Sequence, residues 1–224
     1  TSMVGINVNG PEWTRIVRKM TDFSPHQLCG DYSNFGAGFD EEVHRCVGEA
    51  ILDWFTFNGE KDETAQMVRK VLLMELVYPW HMCFRTLYQT FSGMPSGSPI
   101  TVETNDLVNL MYILMAWHEI MLPYKLGSLN NFRKFVMVKT YGDDLWMSVH
   151  SFVIERFNNV TISEFFAKYG VTYTDADKTG DIVPSKTWRE ISFLKRVPIP
   201  HPNREGYYLA SLDLRSSLDI ANWC

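Results

Sequence analysis

Asp143 and Asp144, adjacent carboxylates at a tight turn, are the residues of this chain best suited to chemistry. They follow Tyr141-Gly142 and lie between two apolar runs, Phe135–Val138 and Leu145–Met147. Both runs have strand composition, and Gly-Asp between such runs signals a hairpin. Like charges repel and a turn needs only one acid, so a tip with two is a poor structural device. It is a good device for holding divalent metal against phosphate, because hard cations prefer oxygen ligands. Alone the tetrapeptide reads as an ordinary solvated turn, and its company decides the matter.

Three further features stand in order with it. Asp31 ends the apolar run Gln27–Tyr32. Ser96-Gly97-x-x-x-Thr101-x-x-x-Asn105 leads from a glycine-rich loop into a helix, and Ala176-Asp177-Lys178 sits in a loop upstream of Phe193-Leu194-Lys195-Arg196. The chemistry they can share is nucleotidyl transfer, in which two metals about 4 Å apart clamp the attacking and leaving oxygens. Asp31 and Asp143, at separate strand ends, suit such a pair. Thr101 and Asn105 are four residues apart and share a helix face. A hydroxyl and an amide presented there can read a sugar, with Ser96 and Gly97 at the helix entrance. Lys178 can protonate a pyrophosphate leaving group. Ser96 is not placed as a hydrolase nucleophile, since Gly93-Met94-Pro95-Ser96-Gly97 is not a nucleophile elbow.

Helices and strands alternate irregularly around these residues. Gly10-Pro11 opens a helix in which Trp13, Ile16, Val17 and Met20 recur at helical spacing. From Asp40, the stripe Val43, Cys46, Val47, Ala50, Ile51, Trp54 and Phe55 predicts a second helix with a core face, closed by Asn58-Gly59. A third helix is expected from Glu63 to about Leu76, then a strand over His81–Tyr88. Gly93–Pro99 must be irregular, and Ile100–Trp117 reads as a helix with Met111 and Met115 in its packing. Thr161–Glu164 reads as a capping box opening a helix that Gly170 closes. Ile191–Leu194 and Tyr207–Leu209 read as strands, and Leu212–Trp223 as the start of a helix. Without βαβ regularity this mixture predicts an α+β fold.

With 224 residues, 46% of them hydrophobic, the chain suits one large domain or a domain with an insertion. Leu110–Trp117, among its longest apolar stretches, falls short of the about 20 residues of a membrane span. No signal peptide opens the sequence, and Thr1-Ser2 without a leading Met reads as an excised or processed segment. Cys29, Cys46, Cys83 and Cys224 are widely spaced, as expected of reduced, buried thiols in a cytosolic protein, and the histidines do not join them in a zinc pattern. The net charge of −5 argues against a grip on nucleic acid unless basic parts lie elsewhere.

The ordered set resembles the palm of the RNA-dependent RNA polymerases of picorna-like positive-strand RNA viruses. The resemblance runs from Val4-Gly5-Ile6-Asn7 to Phe193-Leu194-Lys195-Arg196. Tyr169–Lys178 and Thr187-Trp188 are especially similar to that order's sequences. It implies metal ligation by Asp31 and Asp143, with Asp144 in support, and two Mg²⁺ ions that Mn²⁺ can replace. It implies ribose and template-base positioning by Ser96, Gly97, Thr101 and Asn105, proton donation by Lys178, and a primer grip by Leu194, Lys195 and Arg196. The implied architecture is an α+β palm over 1–210, a central antiparallel sheet backed by helices, with a fingers segment inserted at about 58–95. Residues 211–224 would start a thumb helix. The implied partners are RNA template and primer, nucleoside triphosphates and other viral replication proteins, at membrane-associated complexes in the host cytoplasm.

One departure concerns the second acid that many relatives carry five residues after the first. That position is Gly36, and the next acid is Asp40. Asp40 either replaces it at the sugar or caps the helix whose stripe starts at Val43. The glycine-containing loop is similar to that of insect-infecting iflavirus and dicistrovirus-like members. The family's basic triphosphate-binding fingers motif and its helical thumb are not in this chain, so the isolated chain is expected to be inactive. The rival readings are a reverse transcriptase-like palm, which usually has an apolar residue where Gly142 sits, and a non-catalytic palm-like binding module.

Overall fold

The computed structural model describes residues 1–36, 38, 40–176, 182–212 and 217–218. In chain order the elements are α1 (Pro11–Phe23), β1 (Gln27–Tyr32), α2 (Glu41–Phe57), α3 (Glu63–Val77), β2 (Trp80–Cys83), β3 (Thr86–Gln89) and α4 (Thr101–Met121). A 3₁₀ turn (Leu122–Tyr124), α5 (Leu129–Phe135), β4 (Val136–Tyr141), β5 (Asp144–Val149), α6 (Asn159–Lys168), β6 (Tyr173–Asp175), β7 (Arg196–Pro200) and β8 (Tyr208–Leu212) follow. The fold is α+β with antiparallel sheets. The chain divides into two units, Thr1–Ser33 with Ile113–Cys224, and Asn34–Tyr112. The fingers segment expected at about 58–95 falls inside the second unit. The helix expected over Leu212–Trp223 lies almost wholly outside the described residues.

In the first unit a four-stranded antiparallel sheet has the order β4-β5-β1-β6. Its central strands are buried nearly throughout, because side chains alternate between two covered faces. On one face α1 lays Trp13, Val17 and Met20 against Cys29, Trp146, Ile191 and Phe193. The Trp146 ring lies 6.4 Å from Trp13 and 5.8 Å from Phe193. Elsewhere in this unit Tyr32, Phe166 and Tyr173 pack edge to face or tilted, at 5.2–5.6 Å.

Gln27, wholly buried, joins the sheet to α1. Its Nε2 lies 2.5 Å from the Ser24 carbonyl, 3.2 Å from that of Met20 and 3.1 Å from Ser148 Oγ. Its Oε1 accepts the Trp146 indole N–H at 2.8 Å. The C-terminal turn of α1, β1 and β5 are thereby tied at one buried amide.

Two local expectations change here. Asn158, not Thr161, is the N-cap of α6: its Oδ1 accepts from the Val160 and Thr161 amides, and Thr161 Oγ1 accepts from Asn158 N–H in return. Thr161 thus closes the box as its third residue. Ile191–Leu194 is no strand; Phe193 and Arg196 instead exchange backbone hydrogen bonds across a tight turn.

In the second unit α2 packs on α3, and each is capped by an aspartate. The strand expected over His81–Tyr88 is the hairpin β2–β3, turning at Phe84 with φ 53°. No Gly, Pro or Asn marks that turn, so composition hid it. The α2 stripe buries Val43 and Val47 but leaves Trp54 59% exposed, and Met115 and Cys83 are exposed as well. A helical apolar stripe shows what a helix can bury, not whether a neighbour covers its whole length.

Two stability effects follow. Gln27→Leu strands the buried Trp146 N–H, whose partner is Gln27 Oε1, at a cost of about 1–3 kcal/mol; urea unfolding should show a drop in midpoint. His44 in α2 is buried, and burial holds its pKa below the ordinary imidazole value, partly offset by a hydrogen bond with the Gly93 backbone. The unfolded chain then binds the proton more readily. The stability this contributes is complete above the unfolded pKa of about 6.5 and falls as pH drops through it. Unfolding midpoints should decline from pH 7.5 to pH 5, and His44→Gln should flatten that decline.

Candidate active site

The β4–β5 hairpin closes with Tyr141 opposite Asp144, leaving Gly142 and Asp143 as its two-residue loop. Gly142 takes φ 64°, which a two-residue hairpin with glycine first requires. On its other side β5 pairs with β1, Gly30 facing Leu145. One further step along that register sets Asp31 across from Asp144. Acids more than a hundred residues apart in sequence therefore meet at one end of the sheet.

The Asp144 carboxyl is pushed up to about 6, first by burial and then by the charges of Asp143 and Asp31, with Lys195 opposing. Lys195 is presented by the turn between Phe193 and Arg196, where Leu194 and Lys195 both adopt left-handed backbone, φ 57° and 54°. That conformation is costly for non-glycine residues. It is held by the Phe193–Arg196 bonds, by Leu194 packing on the Trp13–Trp146 cluster and by Arg196 Nη1 donating to the Ala210 carbonyl at 2.8 Å. Of the expected primer-gripping residues, Lys195 faces the acids and Arg196 is tied to β8.

Carboxylate oxygens held together at the edge of burial suit a hard divalent cation. Among the described residues no group of three or more His, Cys, Asp or Glu is arranged to hold an ion by itself.

The second unit carries the sugar-reading candidates. Gly97 has φ 92°, and Ser96 and Gly97 are exposed. The Thr101 hydroxyl donates to the Ser98 carbonyl at 2.8 Å and so fastens the loop to the start of α4. Asn105 Oδ1 is buried with no hydrogen-bond partner. Asp40 Oδ1 accepts from the amides of Glu42 and Val43 at 2.9 and 3.2 Å, so Asp40 caps α2. Lys178 lies outside the described residues.

Sequence reasoning missed what stands behind Asp31. On the β6 side of β1, Thr174 opposes Asp31 and Asp175 opposes Gly30. The Tyr173 ring lies over Gly30, where any β-carbon would overlap it. Tyr173 donates to Asn159 Oδ1 at 3.1 Å, and burial holds its phenol far above the ordinary range, so the donor stays protonated. Asn159 is itself fully buried. Gly30 beside an acid was the available signal, since a strand glycine often marks close approach by another group.

The family model of viral RNA-dependent RNA polymerases matches residues 1–224. The chain is 38% identical over 223 residues to the genome polyprotein of Deformed wing virus, covering 98% of this chain and 8% of that protein. It is 31% identical over 230 residues to the replicase polyprotein of Acute bee paralysis virus (strain Rothamsted), covering 99% and 12%. The solved Sicinivirus 3Dpol RNA dependent RNA polymerase superposes with a TM-score of 0.78 at 20% identity, over 96% of this chain and 42% of that one. The chain thus spans less than half of the solved protein and a small part of each polyprotein.

Gly30→Ala should force Tyr173 off β1 at a cost of about 1–3 kcal/mol, as overpacking does. Urea unfolding measures the loss, and the additional variant Tyr173→Leu should recover part of it.

Proposed function

Because the chain belongs to the viral RNA-dependent RNA polymerase family, we propose that it supplies the catalytic palm of an RNA-directed RNA polymerase, joining nucleoside triphosphates to an RNA 3′-hydroxyl. The observation that carries this reading is the convergence of Asp31 with Asp143 and Asp144 through the β1–β5 and β4–β5 registers.

Asp31 and Asp143, with Asp144 in support, would hold two Mg²⁺ ions, or Mn²⁺ in their place. Such ions, when bound, lower the pKa of the attacking hydroxyl and offset charge on the leaving pyrophosphate. The chain's own residues do the rest. Burial first, and then the charges of Asp143 and Asp31, raise the Asp144 carboxyl, a charge crowding that a cation would relieve. Lys195 sets a positive charge beside them, suited to a primer phosphate, with Leu194 and Arg196 fixing its turn. Lys178 protonates the pyrophosphate as it leaves. Asn105 Oδ1, buried and unpaired, gains a partner when a ribose hydroxyl donates to it. Thr101, Ser96 and Gly97 form the helix entrance beside it, and Asp40, whose Oδ1 already caps α2, offers its other oxygen to the sugar.

The partners in this reading are RNA template and primer, nucleoside triphosphates and other viral replication proteins, at membrane-associated complexes of the host cytoplasm. Among the described residues no helix is long and apolar enough to cross a membrane. The 224 residues alone are proposed to be inactive, since triphosphate grip and duplex closure need further parts.

In a polymerase containing this chain, Asp143→Ala should abolish primer extension while filter binding still detects the RNA complex; retained extension would overturn the assignment. Asn105→Ala should lower the preference for ribo- over deoxyribonucleotides by tenfold or more, the loss expected when a hydroxyl-reading group goes. Competition between the two nucleotide pools measures it, and a protein that prefers deoxyribonucleotides from the start would point to a reverse transcriptase instead.

A further inference from the structure

The outer edge of β1 is covered by two separate pieces of chain. Tyr173, Thr174 and Asp175 pair with Tyr32, Asp31 and Gly30, and the Ala176 amide adds a long bond to the Cys29 carbonyl at 3.4 Å. At the start of the same strand Lys186 pairs with Gln27, through backbone bonds of 2.9 and 2.7 Å. Between the pieces the Lys186 ammonium meets Asp175 Oδ1 at 2.7 Å, with side chains only 14% and 8% exposed.

A buried ion pair is a weak source of stability. The desolvation of two charges offsets most of their attraction, and apolar replacements of both are often neutral or better. What such a pair does supply is geometry, because removing either partner alone leaves a buried charge. Here the geometry bears on one residue. β6 is three residues long, too short to hold an edge by backbone bonds alone, yet its middle residue is the cross-strand neighbour of Asp31. Asp175, Gly30, Tyr173 and Tyr32 share one face of this pairing, so Asp175 stands behind the strand from Asp31 and does not compete for its ligands.

We propose that Asp175 and Lys186 are positioning residues for Asp31: their ion pair fastens β6 to the edge of β1 and so sets where the Asp31 carboxylate meets Asp143 and Asp144. This rests on the polymerase reading above. Displacing a reacting group by about 1 Å can cost about a hundredfold in rate, so an edge that slackens acts on catalysis before it acts on folding.

The test uses a polymerase containing this chain, with the wild type in the same primer-extension assay; extension by the wild type checks the polymerase reading on its own. The double variant Asp175→Asn with Lys186→Gln removes both charges and leaves neither stranded. It is expected to melt close to the wild type, to keep its KM for the nucleotide within about twofold and to lose tenfold or more in kcat. Mn²⁺ affinity measured by titration calorimetry, without RNA or nucleotide, should weaken alongside. Lys186→Arg keeps charge and donor, and should hold kcat within about threefold of the wild type. Wild-type kcat and Mn²⁺ affinity in the double variant overturn the proposal and leave the pair a purely structural contact. Should the double variant fail to fold, Asp175→Glu decides. It keeps both charges but lengthens the link, so wild-type kcat there overturns the proposal and a selective loss of kcat upholds it.

Discussion

Carboxylates repel one another, and the pairing of β1 with β5 brings them together all the same. Everything else in the first unit bears on that pairing. The acids gain nothing from each other; the sheet holds them through backbone bonds and through the apolar faces that the central strands bury on both sides. Gln27 does this where α1 ends, satisfying the Trp146 indole and the last carbonyls of α1 in one amide. Tyr173 does it at Gly30, filling the space a side chain would take. Burial, and then the neighbouring charges of Asp143 and Asp31, raise the Asp144 carboxyl.

The second unit is organised differently. Its helices are capped with care, Asp40 on α2 and Asp62 on α3, yet large side chains such as Trp54, Met82 and Phe84 stand in solvent. Capping satisfies the backbone of a helix whatever surrounds it. Burial depends on neighbours. The two requirements are met independently here, which is why well-formed helices coexist with uncovered apolar faces.

That distinction also explains what could be read from the sequence. The Tyr141–Asp144 hairpin was legible because a two-residue turn has strict backbone needs and glycine advertises them. Helix α1 was legible because Trp13, Val17 and Met20 carry one period over two turns. Asp31 was legible as a strand end, but its partner acids emerged only through their order along the chain. The β2–β3 turn was not legible, since Phe84-Arg85 carries none of the usual turn residues. Nor was the N-cap Asn158, because Thr161 offered an equally good signal one turn later. The buried support behind Asp31, made of Tyr173, Asn159, Asp175 and Lys186, comes from residues that lie next to β1 only once the sheet has formed.

Side chains in a strand alternate with a period of two, so the register of β1 admits no small errors. A slip of one residue would turn Asp31 to the opposite face and put Tyr32 or Gly30 where the acid belongs. A slip of register therefore removes the site outright, unlike a loosened strand edge, which only weakens it. Sequence drift that shifts the register of this strand should leave its mark as abrupt loss, while drift on the exposed helices of the second unit leaves only gradations.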